Sequence, residues 1–145
     1  MATLNFSTKG VSENPTKFNA QSRTFKIVVD EPEQLGGTNH GANPVEYILA
    51  GYAGCLNVVG HLVAKEQNLK LNKLSIEIDG DINPDRFLGV SDNDRAGFKI
   101  IRVKITPDTT ASKEEIEKWI NEVEKRCPVN DNLQNPTPIH IELAR

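Results

Sequence analysis

A long, almost uncharged stretch near the middle of the chain constrains the fold more than any other feature. It covers Asn43–Gln67, and within Val45–Ala64 only Glu46 carries a charge. Asn43 can cap a helix, Pro44 suits the first helical position, and Glu46 completes a capping box. Apolar or small residues then cover every face, so the sequence predicts one long helix that is buried all round. At about 1.5 Å per residue it would span roughly 35 Å, the width of a small domain.

A membrane-spanning segment is the first alternative for an apolar stretch of this length. Asn57 and His61 are polar and lie within it, and three glycines lower its hydrophobicity. No basic flank sets an orientation across a bilayer. Charged residues make up 26% of the whole chain, which favours a soluble protein. We therefore expect a core helix and no contact with a membrane.

Length and charge limit the remaining classes of protein. A chain of 145 residues is long enough for one domain with one hydrophobic core, which we assign to residues 1–145. The net charge is −3 and no basic cluster occurs, so nucleic acid is not an expected partner. Residues 1–20 lack a basic start followed by an apolar run, which predicts a cytoplasmic protein. The three histidines show no ligand spacing, so no metal and no cofactor is expected.

The segments on either side of the central helix, residues 43–67, predict short strands and two smaller helices. In residues 1–42 the alternation at Ala2–Phe6 and Phe25–Val29 predicts strands, and the loop at 30–43 is interpreted as a flexible connector. Residues 72–145 predict a C-terminal sheet with helices. The predicted elements there are strands over 74–78, 98–105 (ended by Pro107) and 139–143, a helix starting at Ser112, and a helical turn over 129–133.

This order of elements predicts an α+β fold with helices packed on an antiparallel sheet. A helix that is apolar on every face is hard to bury in a chain of 145 residues with one sheet. Two chains related by a twofold axis would bury two such helices against each other. The sequence therefore predicts a homodimer.

The chain has two cysteines, Cys55 near the middle of the central helix and Cys127 directly before Pro128. Cysteine reacts as the thiolate, so neighbouring groups decide whether either thiol is reactive. The start of a short helix at Pro128, together with Arg126 and Lys125, would stabilise a thiolate at Cys127.

Cys55 lies too far from the helix ends to gain from the helix dipole, so it needs a cation from another element. Lys17, Arg23 and Lys26, in the N-terminal strands, are the candidates. The alternative is that both cysteines are small buried hydrophobic residues, a common role of free cysteine.

Each cysteine lies in a distinctive motif. The first is N-P-x-E-x-x-L-A-G-Y-A-G-C at Asn43–Cys55, preceded by Leu35–Gly37, and the second is R-C-P-V-x-x-x-L at Arg126–Leu133. Together these motifs resemble those of the OsmC/Ohr family. The similarity extends over roughly residues 23–143. It implies an OsmC-like fold and an intertwined homodimer in which the two central helices lie back to back.

The resemblance also implies a chemistry for the two cysteines. In the peroxidase members of the family, such a pair reduces organic hydroperoxides. Cys55 would be the attacking thiolate and would become a sulfenic acid, which Cys127 would resolve to a disulfide. A dithiol reductant, lipoyl-type in the best-known members, would reset the pair. The resemblance implies no metal or bound organic cofactor.

The chain departs from the peroxidase pattern at the residues that activate the thiolate. Those members carry a Glu ten residues before the first cysteine, paired with an Arg, and this chain has Val45 there. Glu46 lies about 180° from Cys55 around the helix, so its capping role explains it without catalysis. The register places Lys17 near the family's Arg position, whereas Arg23 lies just before a strand.

Arg23 is the third predicted catalytic residue, beside the two cysteines, and three functions stay open. The first is a peroxidase in oxidative or osmotic stress defence. The second is a non-catalytic module that binds a small molecule and in which the cysteines only pack. The third is a redox sensor whose disulfide forms but cycles slowly.

Overall fold

The central helix, α1, runs over Pro44–Glu66 in the computed structural model, which describes residues 2–145. The predicted capping box is confirmed: Glu46 N donates to Asn43 Oδ1 over 2.9 Å, and Asn43 N donates to Glu46 Oε2 over 2.8 Å. The helix ends where Asn68 adopts a φ of 55°. There the N–H groups of Asn68 and Leu69 bond back to the last turn of α1, which is a Schellman ending.

The prediction that α1 is buried on every side is wrong for the single chain. Its buried residues share one side of the helix: Tyr52, Leu56, Val59, Gly60, Val63 and Ala64. On another side Gly51 and Gly54 are exposed, and the side chains of Val58 and Leu62 are 66% and 47% exposed. One chain supplies packing partners for only part of a helix that is apolar all round.

By length and composition alone, α1 could cross a membrane. A third of its most apolar window, 33%, is buried inside the protein. Its buried side packs with Trp119, Val123 and Cys127 in the hydrophobic core. One-sided packing on other elements is the arrangement of a core helix in a globular fold.

The chain forms two compact units, divided after Ile48. In the N-terminal unit, strands β1 (Lys9–Ser12), β2 (Phe18–Ser22) and β3 (Phe25–Val29) form an antiparallel sheet in that order. The predicted strand at Ala2–Phe6 is wrong, because no strand forms there. Leu4 and Phe6 are 75% and 85% exposed, so this weakly alternating segment buries neither side chain.

The loop after β3, interpreted above as a flexible connector, is folded around a buried carboxylate. The carboxylate of Asp30 is fully buried and accepts hydrogen bonds from Glu31 N over 2.8 Å, from His40 N over 3.1 Å and from the hydroxyl of Thr38. A short 3₁₀ turn follows at Glu33–Leu35. At Gly37 an added Cβ would lie 1.8 Å from the carbonyl oxygen of Glu31, so the loop closes on itself where only glycine fits.

Replacing Asp30 by asparagine is expected to lower stability at neutral pH and to flatten its acid dependence. Burial acts to raise the pKa of Asp30, but hydrogen bonds from Thr38 and His40 outweigh it and hold that pKa well below its ordinary value. A carboxyl group whose pKa is lower in the folded than in the unfolded state stabilises the fold. This stabilisation is complete above the unfolded-state pKa of about 3.9 and is lost as the pH falls toward the folded-state pKa.

The measurement is urea denaturation of wild type, Asp30→Asn and the exposed control Glu142→Gln at pH 7 and pH 3. The stability difference between wild type and Asp30→Asn should shrink at pH 3, and the control should follow wild type at both values. An equal difference at both pH values would show that the charge of Asp30 is not what stabilises the loop.

In the C-terminal unit, strands β4 (Lys73–Asp81) and β5 (Ile100–Asp108) pair antiparallel, with Ile76 opposite Ile105. The α+β class is confirmed, with two antiparallel sheets in the part of the chain from residue 2 to 145. Pro107 was predicted to end this strand, but it lies within β5, opposite Leu74. Proline is tolerated there because β5 pairs with a neighbour on one side only.

The two predicted C-terminal helices are confirmed as α2 (Lys113–Arg126) and α3 (Pro128–Gln134). Ser112 and Glu115 form the predicted capping box at the start of α2. Trp119 and Val123 of α2 are fully buried in the core.

The predicted last strand at 139–143 is wrong, because residues 136–145 have no regular secondary structure. Ile139, Ile141 and Leu143 alternate as a strand would, yet they are 80%, 88% and 91% exposed. A strand needs a neighbour for its backbone N–H and C=O groups, and alternation alone supplies none.

Candidate active site

The structure brings together the two cysteines that were predicted to act as a pair. Cys55 lies in the fourth turn of α1, and Cys127 lies at the junction between α2 and α3. Their Sγ atoms are 3.0 Å apart although the residues are 72 positions apart in sequence, and both are free thiols. A disulfide bond is about 2.05 Å long, so the sulfurs are about 1 Å from bonding distance.

Cys127 is placed by the break that Pro128 causes between the two helices. Its backbone is extended, with φ −78° and ψ 112°, so it ends α2 and caps α3. Its Sγ accepts a hydrogen bond from the backbone N–H of Asn130 over 3.4 Å. The predicted break and the predicted short helix after it therefore fix the position of this sulfur.

The two sulfurs have different environments. Cys127 is 1% exposed, whereas Cys55 is only partly buried. Burial, followed by the contact with Cys55, raises the pKa of Cys127, although N–H groups at the start of α3 act in the opposite direction. The predicted stabilisation of a Cys127 thiolate is wrong in its net effect, because the cost of burying the charge exceeds the gain from the helix start.

Asn130 is the buried polar residue that sequence reasoning missed. Its Oδ1 accepts hydrogen bonds from the hydroxyl of Tyr52 over 2.6 Å and from Gln134 Nε2 over 2.9 Å. Its Nδ2 donates to the carbonyl oxygen of Glu124 over 3.0 Å. One side chain thus connects α1, α2 and α3, and no sequence pattern marks it, because the three elements meet only in the folded chain.

Tyr52 lies next to the sulfurs on the buried side of α1. Burial raises the pKa of its hydroxyl, and the nearby Cys127, Glu124 and Cys55 raise it further. The Tyr52 hydroxyl is therefore a neutral hydrogen-bond donor beside the pair at physiological pH.

The charge of Arg126, which was predicted to stabilise a Cys127 thiolate, is paired with carboxylates. The guanidinium of Arg126 pairs with Glu66, with Nη2 3.2 Å from Oε1, and also faces Glu122. The hydrogen bond to Glu66 raises the pKa of Arg126, and the same bond lowers the pKa of Glu66. Within residues 2–145, no basic side chain forms a hydrogen bond with either sulfur.

The structure places the predicted activating residues in the N-terminal unit, whereas both cysteines belong to the C-terminal unit. Arg23 lies in the turn between β2 and β3 with a φ of 56°, and its guanidinium carbon is 5.0 Å from the centre of the Phe25 ring. Lys17 forms an ion pair with Glu13 over 3.0 Å. The role of Arg23 at Cys55 stays a prediction.

A small polar cavity of about 270 Å³ lies beside the α2–α3 junction. Its lining residues are Glu124, Lys125, Asn130, Asp131, Gln134 and Asn135. Over residues 2–145, no group of three or more His, Cys, Asp or Glu side chains has the arrangement of a metal site.

Comparison with known proteins assigns the chain to a family. The family model described as OsmC-like protein matches residues 37–142. The organic hydroperoxide resistance protein OhrB of Bacillus subtilis is 28% identical over 119 residues, which cover 82% of this chain and 80% of that protein. The hydroperoxide reductase of Mycoplasma genitalium is 28% identical over 135 residues, which cover 92% of this chain and 90% of that protein.

A solved structure agrees with this assignment. The crystal structure of the OsmC like protein from Mycoplasma pneumoniae superposes with a TM-score of 0.80 at 25% identity, covering 92% of this chain and 89% of that one. The predicted family resemblance is confirmed. The family match covers most of the chain, and the chain therefore belongs to the OsmC-like family.

Proposed function

We propose that this protein is a thiol-dependent peroxidase that reduces organic hydroperoxides with Cys55 and Cys127. The observation that carries the proposal is the 3.0 Å separation of two free sulfurs from distant parts of the chain. Two relatives that match most of the chain are named organic hydroperoxide resistance protein and hydroperoxide reductase, which supports this substrate class. The reducing cytoplasm is the compartment in which both cysteines would rest as thiols.

Cys55 is the attacking residue in this proposal. Cys55 is partly exposed, whereas Cys127 is fully buried and its raised pKa keeps it a thiol at neutral pH. The Cys55 thiolate attacks the terminal oxygen of the hydroperoxide and the O–O bond breaks. The organic part leaves as an alkoxide, which takes a proton and becomes an alcohol, and Cys55 becomes a sulfenic acid.

Cys127 then resolves the sulfenic acid. Its sulfur forms a bond to the sulfur of Cys55, the S–O bond breaks, and the hydroxide leaves as water with the proton of Cys127. A dithiol reductant of the lipoyl type returns both residues to thiols and is itself oxidised to a disulfide.

Activation of Cys55 is assigned to Arg23. The carboxylate of Glu46 is bonded to the backbone of Asn43, and Val45 has no charge to offer. A guanidinium would therefore act on the thiolate without the acidic partner of the peroxidase members. A cation near a thiol stabilises the thiolate and so lowers the thiol pKa.

The absence of an acidic partner for the guanidinium favours a redox sensor as the second candidate. Without an acidic partner to hold the cation in place, the reaction of Cys55 with peroxide would be slower. The close sulfur pair would still form a disulfide. The two candidates share one chemistry and differ in the rate of turnover.

Turnover of an organic hydroperoxide by the wild-type protein distinguishes these candidates. Cumene hydroperoxide is mixed with the protein and an excess of dihydrolipoamide, and the remaining peroxide is measured over time. A peroxidase consumes many equivalents of hydroperoxide per chain, and does so faster than the dithiol alone. Consumption of about one equivalent, with no further loss above background, would contradict the peroxidase and support the sensor.

The exposed face of α1 supports a homodimer as the working form. Gly51 and Gly54 have no atom within 4 Å of an added Cβ, so another backbone can approach closely there. Val58 and Leu62 extend the same face and are 66% and 47% exposed. A twofold-related copy of α1 presents an identical small and apolar face, so one contact would cover both.

Replacing Val58 by aspartate is expected to dissociate this dimer. Burying an unpaired carboxylate at a helix contact costs far more than burying the valine side chain there gains. Sedimentation equilibrium should show a dimer for wild type and a monomer for Val58→Asp at micromolar concentration. Val90→Asp is the matched control, because Val90 is 73% exposed in the loop between β4 and β5, and it should remain dimeric. A dimeric Val58→Asp variant would exclude this face as the interface.

A further inference from the structure

Two neighbouring contacts join α1 to the α2–α3 junction: a hydrogen bond between Tyr52 and Asn130, and the contact between the two cysteine sulfurs. On α1, Tyr52 and Cys55 are three residues apart and therefore share one side of the helix. At the junction, Cys127 and Asn130 are also three residues apart, in the first turn of α3. The hydroxyl of Tyr52 donates to Asn130 Oδ1 over 2.6 Å, while the two sulfurs are 3.0 Å apart.

The Tyr52–Asn130 bond restrains the atoms that hold Cys127 in place. The backbone N–H of Asn130 donates to the sulfur of Cys127, and its side-chain Nδ2 donates to Glu124, near the end of α2. Asn130 is only 8% exposed, so water does not compete freely for these bonds. A movement of α3 away from α1 would break the Tyr52 bond and carry the Cys127 sulfur away from Cys55.

We propose that Tyr52 and Asn130 are positioning residues that hold the Cys127 sulfur against Cys55 in the dithiol form and so stabilise the disulfide. This inference rests on the proposed redox pairing of the two cysteines. With the hydrogen bond in place, the junction is already ordered, so closing the disulfide costs little conformational entropy. Without it, the dithiol form gains freedom that closure must remove.

The variant that tests this is Tyr52→Phe, which removes one hydroxyl and keeps the ring. Asn130 Oδ1 still accepts from Gln134 Nε2 over 2.9 Å, so the substitution leaves no buried acceptor unpaired. Tyr47→Phe is the matched control. The Tyr47 hydroxyl also belongs to α1 and donates over 2.6 Å, but to the carbonyl oxygen of Val28 in the N-terminal unit.

The measurement is the thiol–disulfide equilibrium constant against glutathione, determined on the full chain. Closing the pair removes two electrons and two protons from Cys55 and Cys127, and these convert one glutathione disulfide to two glutathione molecules. The constant for Tyr52→Phe should fall about two- to tenfold, the effect of one net hydrogen bond. The constant for Tyr47→Phe should equal that of wild type.

Melting temperatures of the oxidised and reduced forms of each variant complete the test. If the role of Tyr52 is purely structural, Tyr52→Phe will lower the melting temperatures of the oxidised and reduced forms equally and leave the glutathione equilibrium constant unchanged. That result would overturn the inference but not the proposed redox pair. A constant reduced as much in Tyr47→Phe as in Tyr52→Phe would overturn it too. If wild type forms no Cys55–Cys127 disulfide at any glutathione ratio, both the inference and the proposed function fail.

Discussion

Replacing Cys55 by serine is expected to lower the rate of hydroperoxide consumption by more than about 100-fold, because a serine hydroxyl is not ionised near neutral pH and cannot replace the thiolate. Cys127→Ser is expected to behave differently. Its Cys55 can still be oxidised once, so it should consume about one equivalent of hydroperoxide and then stop in the absence of a thiol. The measurement is stopped-flow mixing with cumene hydroperoxide, followed by titration of the remaining peroxide.

The two serine variants control for each other, because each removes one sulfur from the same contact. Both should fold, since the sulfur pair is not bonded in the dithiol form. A Cys55→Ser variant that turns over at the wild-type rate would reject the assignment of the attacking residue. Loss of the first equivalent in Cys127→Ser, with Cys55→Ser still active, would reverse the two roles.

Replacing Trp119 by alanine is expected to cost about 3–5 kcal/mol of stability, the usual range for removing a large core aromatic residue. The Trp119 side chain is 1% exposed, and its Nε1 donates to the carbonyl oxygen of Gly60 over 2.8 Å. At Gly60 an added Cβ would lie 3.2 Å from the Trp119 ring and 3.1 Å from the side chain of Leu74. The ring therefore fills the space between α1 and the C-terminal sheet.

Urea denaturation of the dithiol form, fitted as a two-state transition, measures this loss of stability. Phe87→Ala is the control, because Phe87 is 80% exposed in the loop between β4 and β5, and its effect should stay within about 0.5 kcal/mol. A loss below about 1 kcal/mol for Trp119→Ala would mean that the Trp119 ring does not support the α1 core, against the usual cost of such a truncation.

Features that depend on neighbouring residues were predictable from the sequence. The capping boxes at Asn43–Glu46 and Ser112–Glu115 were predicted and confirmed, because each is complete within four residues. The break at Pro128 was predicted for the same reason, since proline restricts the residue before it. That break sets the position of the Cys127 sulfur, so part of the site was visible in the sequence.

Features that depend on a distant partner were not predictable in the same way. Residues 139–143 alternate like a strand but have no neighbouring strand to pair with, and α1 is apolar all round but is covered on one side only. The role of Asn130 arises from the meeting of three helices. The net pKa direction of Cys127 was missed because burial, which outweighs the local N–H groups, is a property of the folded chain.

The redox pairing of Cys55 with Cys127 can be read directly by mass spectrometry of the reduced protein after one equivalent of organic hydroperoxide, with peptides mapped without reductant. We expect one product, a disulfide between Cys55 and Cys127, with the loss of two hydrogen atoms per chain. A Cys55 sulfinic acid beside an unmodified Cys127 thiol, or two unmodified thiols, would contradict it.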